Sequence, residues 1–267
     1  MCRHLAYAGP AIAPARLLFD PPHSLSRQSW APRDMRGGGT INADGFGVGW
    51  FPGPAAGAGA PAGAGAGSRA GAGVVPIRYR RATPLWSDTT LPALAASLRV
   101  TGMLAAVRSA TEGMPVVETA AAPFGGGDGP WLFSHNGRVT GWPGSVDKLA
   151  ATLPTTDLLT LEAPTDSALL WALVRDRLRT STPAEAVAST VADVEAVAPG
   201  SRLNLLLTDG TTIVATTAGH SLSVRRADGV TVSSEPLDDS PEWQTVPDRH
   251  LLVATASDLA LTPLGAP

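Results

Sequence analysis

Cys2 is the only cysteine among 267 residues and stands directly behind Met1. Removal of that methionine would leave one residue carrying both a thiol and a free α-amine. Such a residue is a nucleophile with its own base, because an α-amine of reference pKa about 7.7 to 8.0 can accept a thiol proton, directly or through one water. Four other segments carry groups able to do chemistry. Segment 42–50 contains Asn42, Asp44 and the closely spaced Gly45, Gly47 and Gly49; segment 107–113 places Arg108, Thr111 and Glu112 behind an apolar run. Segment 134–137 reads Ser-His-Asn-Gly, and segment 165–167 reads Thr-Asp-Ser. Singly, each has an ordinary explanation. Asn-Gly marks turns, an arginine after an apolar strand marks a solvated strand end, and Thr165 or Asp166 suits a helix cap. Cys2 alone could be a frayed terminus or a small buried hydrophobe.

The elements that must position these groups follow from periodicity and punctuation. Residues 45–51 and 74–80 read as strands on either side of a Gly/Ala/Pro tract at 53–73, which cannot supply a packed face and is expected to be a flexible loop insert. A helix is expected over 91–98 after the start signal of Ser87 and Asp88, then a buried strand over 102–107. Residues 131–135 and 138–140 read as strands joined by a tight turn at His135-Asn136-Gly137. Thr165 or Asp166 starts a helix running to about Arg179, and Thr182, Pro183 and Glu185 have capping-box spacing for a second one. Asp209-Gly210 and Asp228-Gly229 each sit between strand-like runs, which predicts two hairpins, and 250–255 adds a terminal strand. This order predicts an α+β fold of two antiparallel sheets covered by helices, in one domain over 2–267.

Composition limits the function classes. With 20 Lys and Arg against 23 Asp and Glu, the net charge of -3 offers no global basic surface for nucleic acid or an anionic membrane. One cysteine excludes an intrachain disulfide framework and fits a reducing compartment. The first ten residues lack a signal-peptide apolar run, and 53–73 lacks the large aliphatics of a membrane span, so a cytoplasmic enzyme is expected. His4, His23, His135, His220 and His250 lack ligand spacing, so no metal is expected, and no nucleotide loop or other cofactor signal is present. His135 beside Asn136 invites a Cys–His dyad, but a turn-shaping role is preferred because Cys2 has its own amine. Segment 233–236 lies near the end of an expected strand and is expected to line the substrate cleft, with no role assigned.

Together these segments closely resemble the class II glutamine amidotransferases, a branch of the N-terminal nucleophile hydrolases. The match runs from Met1-Cys2-Arg3-His4-Leu5 through Pro21-Pro22, Gln28-Ser29, segment 42–50 and segment 84–88. It continues through segment 105–115, His135-Asn136-Gly137 and Asp166-Ser167-Ala168, and so covers most of the chain outside the insert. Within the family, the chain is most similar to the γ-glutamyl hercynylcysteine sulfoxide hydrolases of ergothioneine biosynthesis. The resemblance implies an αββα four-layer sandwich and a γ-glutamyl amidohydrolase acting through a thioester on Cys2. It implies that Asn136 and Gly137 stabilise the oxyanion, that Arg108 with help from Thr111 binds the glutamyl carboxylate, and that Asp166 receives its ammonium.

Two departures bear on the substrate. Synthase-linked members of the class commonly carry Trp and His where this chain has Ser109 and Glu112. That opens the rim of the expected glutamyl pocket and suits a bulky leaving amine. Alternative readings are a glutaminase subunit serving a separate synthase and a catalytically silent binding relative. The small-molecule γ-glutamyl substrate is the one partner the sequence implies.

Overall fold

The computed structural model describes residues 2–34, 41–52, 74–126 and 129–265, so the tract at 53–73 lies outside the described residues. A seven-stranded sheet has the order β11 (Gln244–Thr245), β9 (Ser223–Ala227), β10 (Gly229–Ser233), β1 (Arg3–Ile12), β4 (Val100–Val107), β2 (Phe46–Pro52), β3 (Ile77–Arg81). A six-stranded sheet has the order β13 (Leu259–Pro263), β12 (His250–Ala254), β8 (Ile213–Thr217), β7 (Arg202–Thr208), β6 (Leu132–Arg138), β5 (Phe124–Gly125). Every pairing with a recorded register is antiparallel.

Alternation along the strands builds the layers, because successive side chains point to opposite faces. Leu5 and Tyr7 of β1 pack with Met103 and Ala105 of β4 under α1 (Ala15–Leu18), α2 (Leu25–Gln28) and α3 (Leu91–Ser97). Ala6 and Ala8 point the other way, toward Leu132, Leu206 and Ile213 of the second sheet. The far face of that sheet, including Phe133, Leu203, Leu205 and Leu207, is covered by α6 (Asp166–Arg177) and α7 (Pro183–Val197). The short α4 (Asp147–Ala150) and α5 (Thr155–Leu159) flank those two helices. The result is the four-layer helix–sheet–sheet–helix sandwich the sequence predicts. Burying each large aliphatic in these layers stabilises by roughly 1.5–3 kcal/mol.

Several local signals act as their chemistry dictates. Thr182 and Glu185 form the reciprocal capping box of α7, and Asp88 Oδ1 accepts the N–H groups of Thr90 and Leu91 at 2.9 and 2.7 Å, starting α3. Gly210 and Gly229 adopt φ of +93° and +99° in the two Asp-Gly hairpins, a region glycine enters without steric cost.

The expected turn at Asn136-Gly137 does not form. β6 runs unbroken through both residues, with Asn136 opposite Asn204 and Gly137 opposite Leu203 on β7. Gly137 meets a different demand there: a Cβ on it would overlap the Arg202 carbonyl. Four strands also exceed expectation: β1, the two-residue β5 and β11, and the final β13. β1 and β13 carry no turn signal that would have announced them.

Candidate active site

Cys2 lies one residue before the central strand β1, partly buried, with Met1 outside the described residues. Pairing of Arg3 with Val107 sets the end of β4 beside it, so the Cys2 Sγ comes within 3.7 Å of the Ser109 carbonyl oxygen. The loop after β4 is fastened by the corner preceding β2. Arg108 N–H donates to the Gly45 carbonyl at 2.7 Å, Asp44 N–H to the Arg108 carbonyl at 3.0 Å, and Ala110 N–H to Asp44 Oδ2 at 2.8 Å. Gly45 holds φ at +132°, and a Cβ there would sit 3.0 Å from the Arg81 carbonyl oxygen, which explains the residue type.

Arg108 is buried, and its Nη1 donates to the Pro115 carbonyl at 2.8 Å and to that of Asp44 at 3.5 Å. One nitrogen thus closes the loop, while Nε and Nη2 make no hydrogen bond among the described residues. Asp166 opens α6 behind the cap Thr165 and is also buried. Its Oδ2 accepts Val139 N–H at 3.0 Å and its Oδ1 accepts Ser167 N–H at 2.7 Å, which fixes the carboxylate while lone pairs remain on both oxygens.

Asp166 and Thr111 both line a cleft of about 610 Å³, bounded also by Glu112, Met114, Arg138 and Trp142. That volume is within the usual range for small-molecule sites. Cys2, Arg108, Asn136 and Gly137 are not lining residues of this cleft; they belong to the adjoining strand ends.

Asn136 is fully buried and faces the layer between the sheets. Its Nδ2 is 3.5 Å from Ser234 Oγ, and its Oδ1 has no hydrogen-bond partner among the described residues. The neighbouring His135 is a strut. Its Nε2 donates to the Arg202 carbonyl at 2.9 Å and its Nδ1 pairs with Ser167 Oγ at 3.0 Å, tying β6 to β7 and α6, so neither ring nitrogen is left for Cys2.

A polar cluster beneath these residues was not assigned from sequence. His4 Nδ1 pairs with Ser134 Oγ at 3.1 Å. Burial, with further contributions from His135, His220 and Arg3, lowers the His4 pKa to about 3. Asn204 Oδ1 accepts the N–H groups of Ala218 and His220 at 2.9 and 3.1 Å. Burial likewise lowers the His220 pKa to about 3, with Arg202 and Arg3 adding to the effect. Segment 233–236 does not line the cleft: Ser233, Ser234 and Glu235 are buried, and Glu235 pairs with the buried Arg3 at 3.1 Å. A polar residue at an inward position of an otherwise apolar strand was the available signal, as in Arg3-His4-Leu5 and Leu203-Asn204-Leu205.

A sandwich of two antiparallel sheets, with a cysteine next to the first residue of its central strand, is the architecture of an N-terminal nucleophile amidotransferase. Residues 18–228 match the family model described as glutamine amidotransferases class-II, and the chain belongs to that family. It is 41% identical over 265 residues to the Mycobacterium tuberculosis (strain CDC 1551 / Oshkosh) protein named gamma-glutamyl-hercynylcysteine sulfoxide hydrolase, covering 99% of this chain and 97% of that one. The Mycolicibacterium smegmatis protein of the same name is 40% identical, with 99% of this chain and 100% of that one covered. Among solved structures, glutamine phosphoribosylpyrophosphate amidotransferase from B. subtilis shares the fold at a TM-score of 0.65 and 12% identity; the match covers 99% of this chain and 49% of that one. Among the described residues no helix is long and apolar enough to cross a membrane.

Proposed function

We propose that this protein is a cytoplasmic amidohydrolase that cleaves γ-glutamyl hercynylcysteine sulfoxide to glutamate and hercynylcysteine sulfoxide. The observation that carries the reading is the near full-length identity to two hydrolases of that name. The cleft and the strand end beside it support the reading chemically. Arg108 and Asp166 offer opposite charges for the carboxylate and ammonium of a glutamyl group, for which a planar guanidinium and a fixed carboxylate are suited. Thr111 assists on the carboxylate side. Glu112, Arg138 and Trp142 line further space in the same cleft, which suits a conjugate whose leaving amine is larger than ammonia.

In the reaction, the Cys2 sulfur attacks the γ-amide carbon while its proton passes to the Cys2 α-amine. The C–N bond then breaks, and the amine departs carrying that proton. Water attacks the resulting thioester, giving up its proton to the same α-amine, and the C–S bond breaks to release glutamate and regenerate the thiol. Each half passes through a tetrahedral oxyanion, which the side-chain amide of Asn136 and the backbone N–H of Gly137 meet as donors. Loss of one such donor costs about 2.7–4 kcal/mol of transition-state stabilisation.

The test is glutamate release. Purified protein with Met1 removed should release glutamate from the sulfoxide conjugate faster than from glutamine, and Cys2→Ala should reduce release to background. Equal or faster turnover of free glutamine would overturn the substrate. Intact mass after a short incubation should show a glutamyl adduct on Cys2.

A further inference from the structure

Ser234 directly follows β10 and is completely buried opposite the start of β1. Its Oγ accepts the His4 N–H at 3.0 Å, lies 3.2 Å from the His4 carbonyl oxygen, and lies 3.5 Å from Asn136 Nδ2. Its backbone N–H also donates to the His4 carbonyl, at 3.0 Å, and its carbonyl accepts Ser221 Oγ at 3.0 Å. The residue is therefore held on every side.

A hydroxyl has one proton and two lone pairs. Among the described residues the Ser234 hydroxyl donates to the His4 carbonyl, which cannot donate in return, and one lone pair is filled by the His4 N–H. What Ser234 can offer Asn136 is one remaining lone pair. An acceptor alone requires that the amide present its nitrogen, and turning the amide over would set Oδ1 against a hydroxyl that could donate to it only by giving up its bond to the His4 carbonyl. Asn136 Oδ1 is buried without a partner among the described residues, so no contact on that side would hold the amide in this orientation. The Nδ2 group has two protons; one faces Ser234 and the second is left for another acceptor.

We infer that Ser234 is a positioning residue for catalysis: its saturated hydroxyl fixes the Asn136 amide with Nδ2 as donor and ties it to the strand that begins beside Cys2. The inference rests on Asn136 being the oxyanion donor. Because the same oxygen holds the His4 N–H, two residues after the nucleophile, it sets the distance between the attacking group and the donor that answers the attack.

A double-mutant cycle tests this, with kcat and KM measured on γ-glutamyl hercynylcysteine sulfoxide for Ser234→Ala, Asn136→Ala and the double variant. Asn136→Ala should lower kcat on the order of 10²–10³-fold. Ser234→Ala should lower kcat on the order of tenfold with KM little changed, and should cost nothing further in the Asn136→Ala background, since coupled residues are non-additive. If Ser234→Ala does not fold, Ser234→Cys keeps a similar volume with a weak acceptor and should show the same cycle. Multiplying penalties, or a serine variant within twofold of wild-type kcat, would overturn the inference. A wild-type kcat in Asn136→Ala alone would instead remove the oxyanion reading on which it rests.

Discussion

β1, β6, β7 and β10 all send side chains into the layer between the two sheets, yet the two ends of that layer are chemically opposite. At the Cys2 end lie His4, Ser134, Asn136, Asn204 and, just past β10, Ser234. Further along the same strands lie Ala6, Ala8, Leu132, Leu206, Val230 and Val232. Strand geometry is the same in both, so the contrast comes from residue type. The apolar end gains stability from non-directional burial and tolerates small shifts. The polar end depends on directed bonds, each of which costs free energy if left unmade in so dry a place. A fixed amide can be held only in such a region, and the adjoining apolar region supplies the rigidity.

The largest loss of stability is expected at Glu235, which pairs with Arg3 on the helix-covered face of the same strand end. Glu235→Ala removes the carboxylate beside the buried Arg3, and unfolding in urea should show a loss of about 3–5 kcal/mol, as expected when one member of a buried ion pair is removed. A loss near zero would mean that this ion pair, on the face of β1 opposite His4, contributes no more than a solvated one. Leu206→Ala probes the opposite end. It should cost about 2–5 kcal/mol of stability, while kcat per folded molecule stays at the wild-type value; a large fall in kcat would show that the two ends are mechanically coupled.

Acid sharpens the comparison more gently. His4 and His220, both with pKa lowered to about 3 mainly by burial, bind protons in the unfolded chain before they do so in the folded one. Their contribution is complete above the ordinary histidine value of about 6.5 and is lost as pH falls toward 3. Each group adds a slope of up to about 1.4 kcal/mol per pH unit within that window. Melting curves between about pH 7 and pH 4 should therefore steepen, and His220→Gln should flatten them; an unchanged slope would place the proton uptake elsewhere.

What was legible in the sequence was local. Asp-Gly at 209–210 and 228–229 forms hairpins because the turn residues dictate the backbone, and Thr182 with Glu185 caps α7 because both partners lie within one helical turn. Asn136-Gly137 carries the same local signal and forms no turn. Its conformation is set by pairing with β7 and by the approach of the Arg202 carbonyl, from 65 positions away in the chain, which no dipeptide preference reports. The candidate site divides in the same way. Segment matches drew attention to Cys2, Arg108, Thr111, Asn136, Gly137 and Asp166, and the fold sets them around neighbouring strand ends and one cleft. The residues that hold them, Asp44, His4 and Ser234, depend on contacts such as His4 to Ser234, 230 positions apart.

The central place of β1 also bears on the order of events during synthesis. β1 is made long before β10, yet its Leu5–Ala8 stretch pairs with that strand, and Arg3 pairs with Glu235. On the ribosome β1 has nothing on that side to dock against until the last strands of the sheet emerge. Cys2, one residue before β1, is thus kept out of its finished surroundings for most of translation, and seating it is among the final acts of folding.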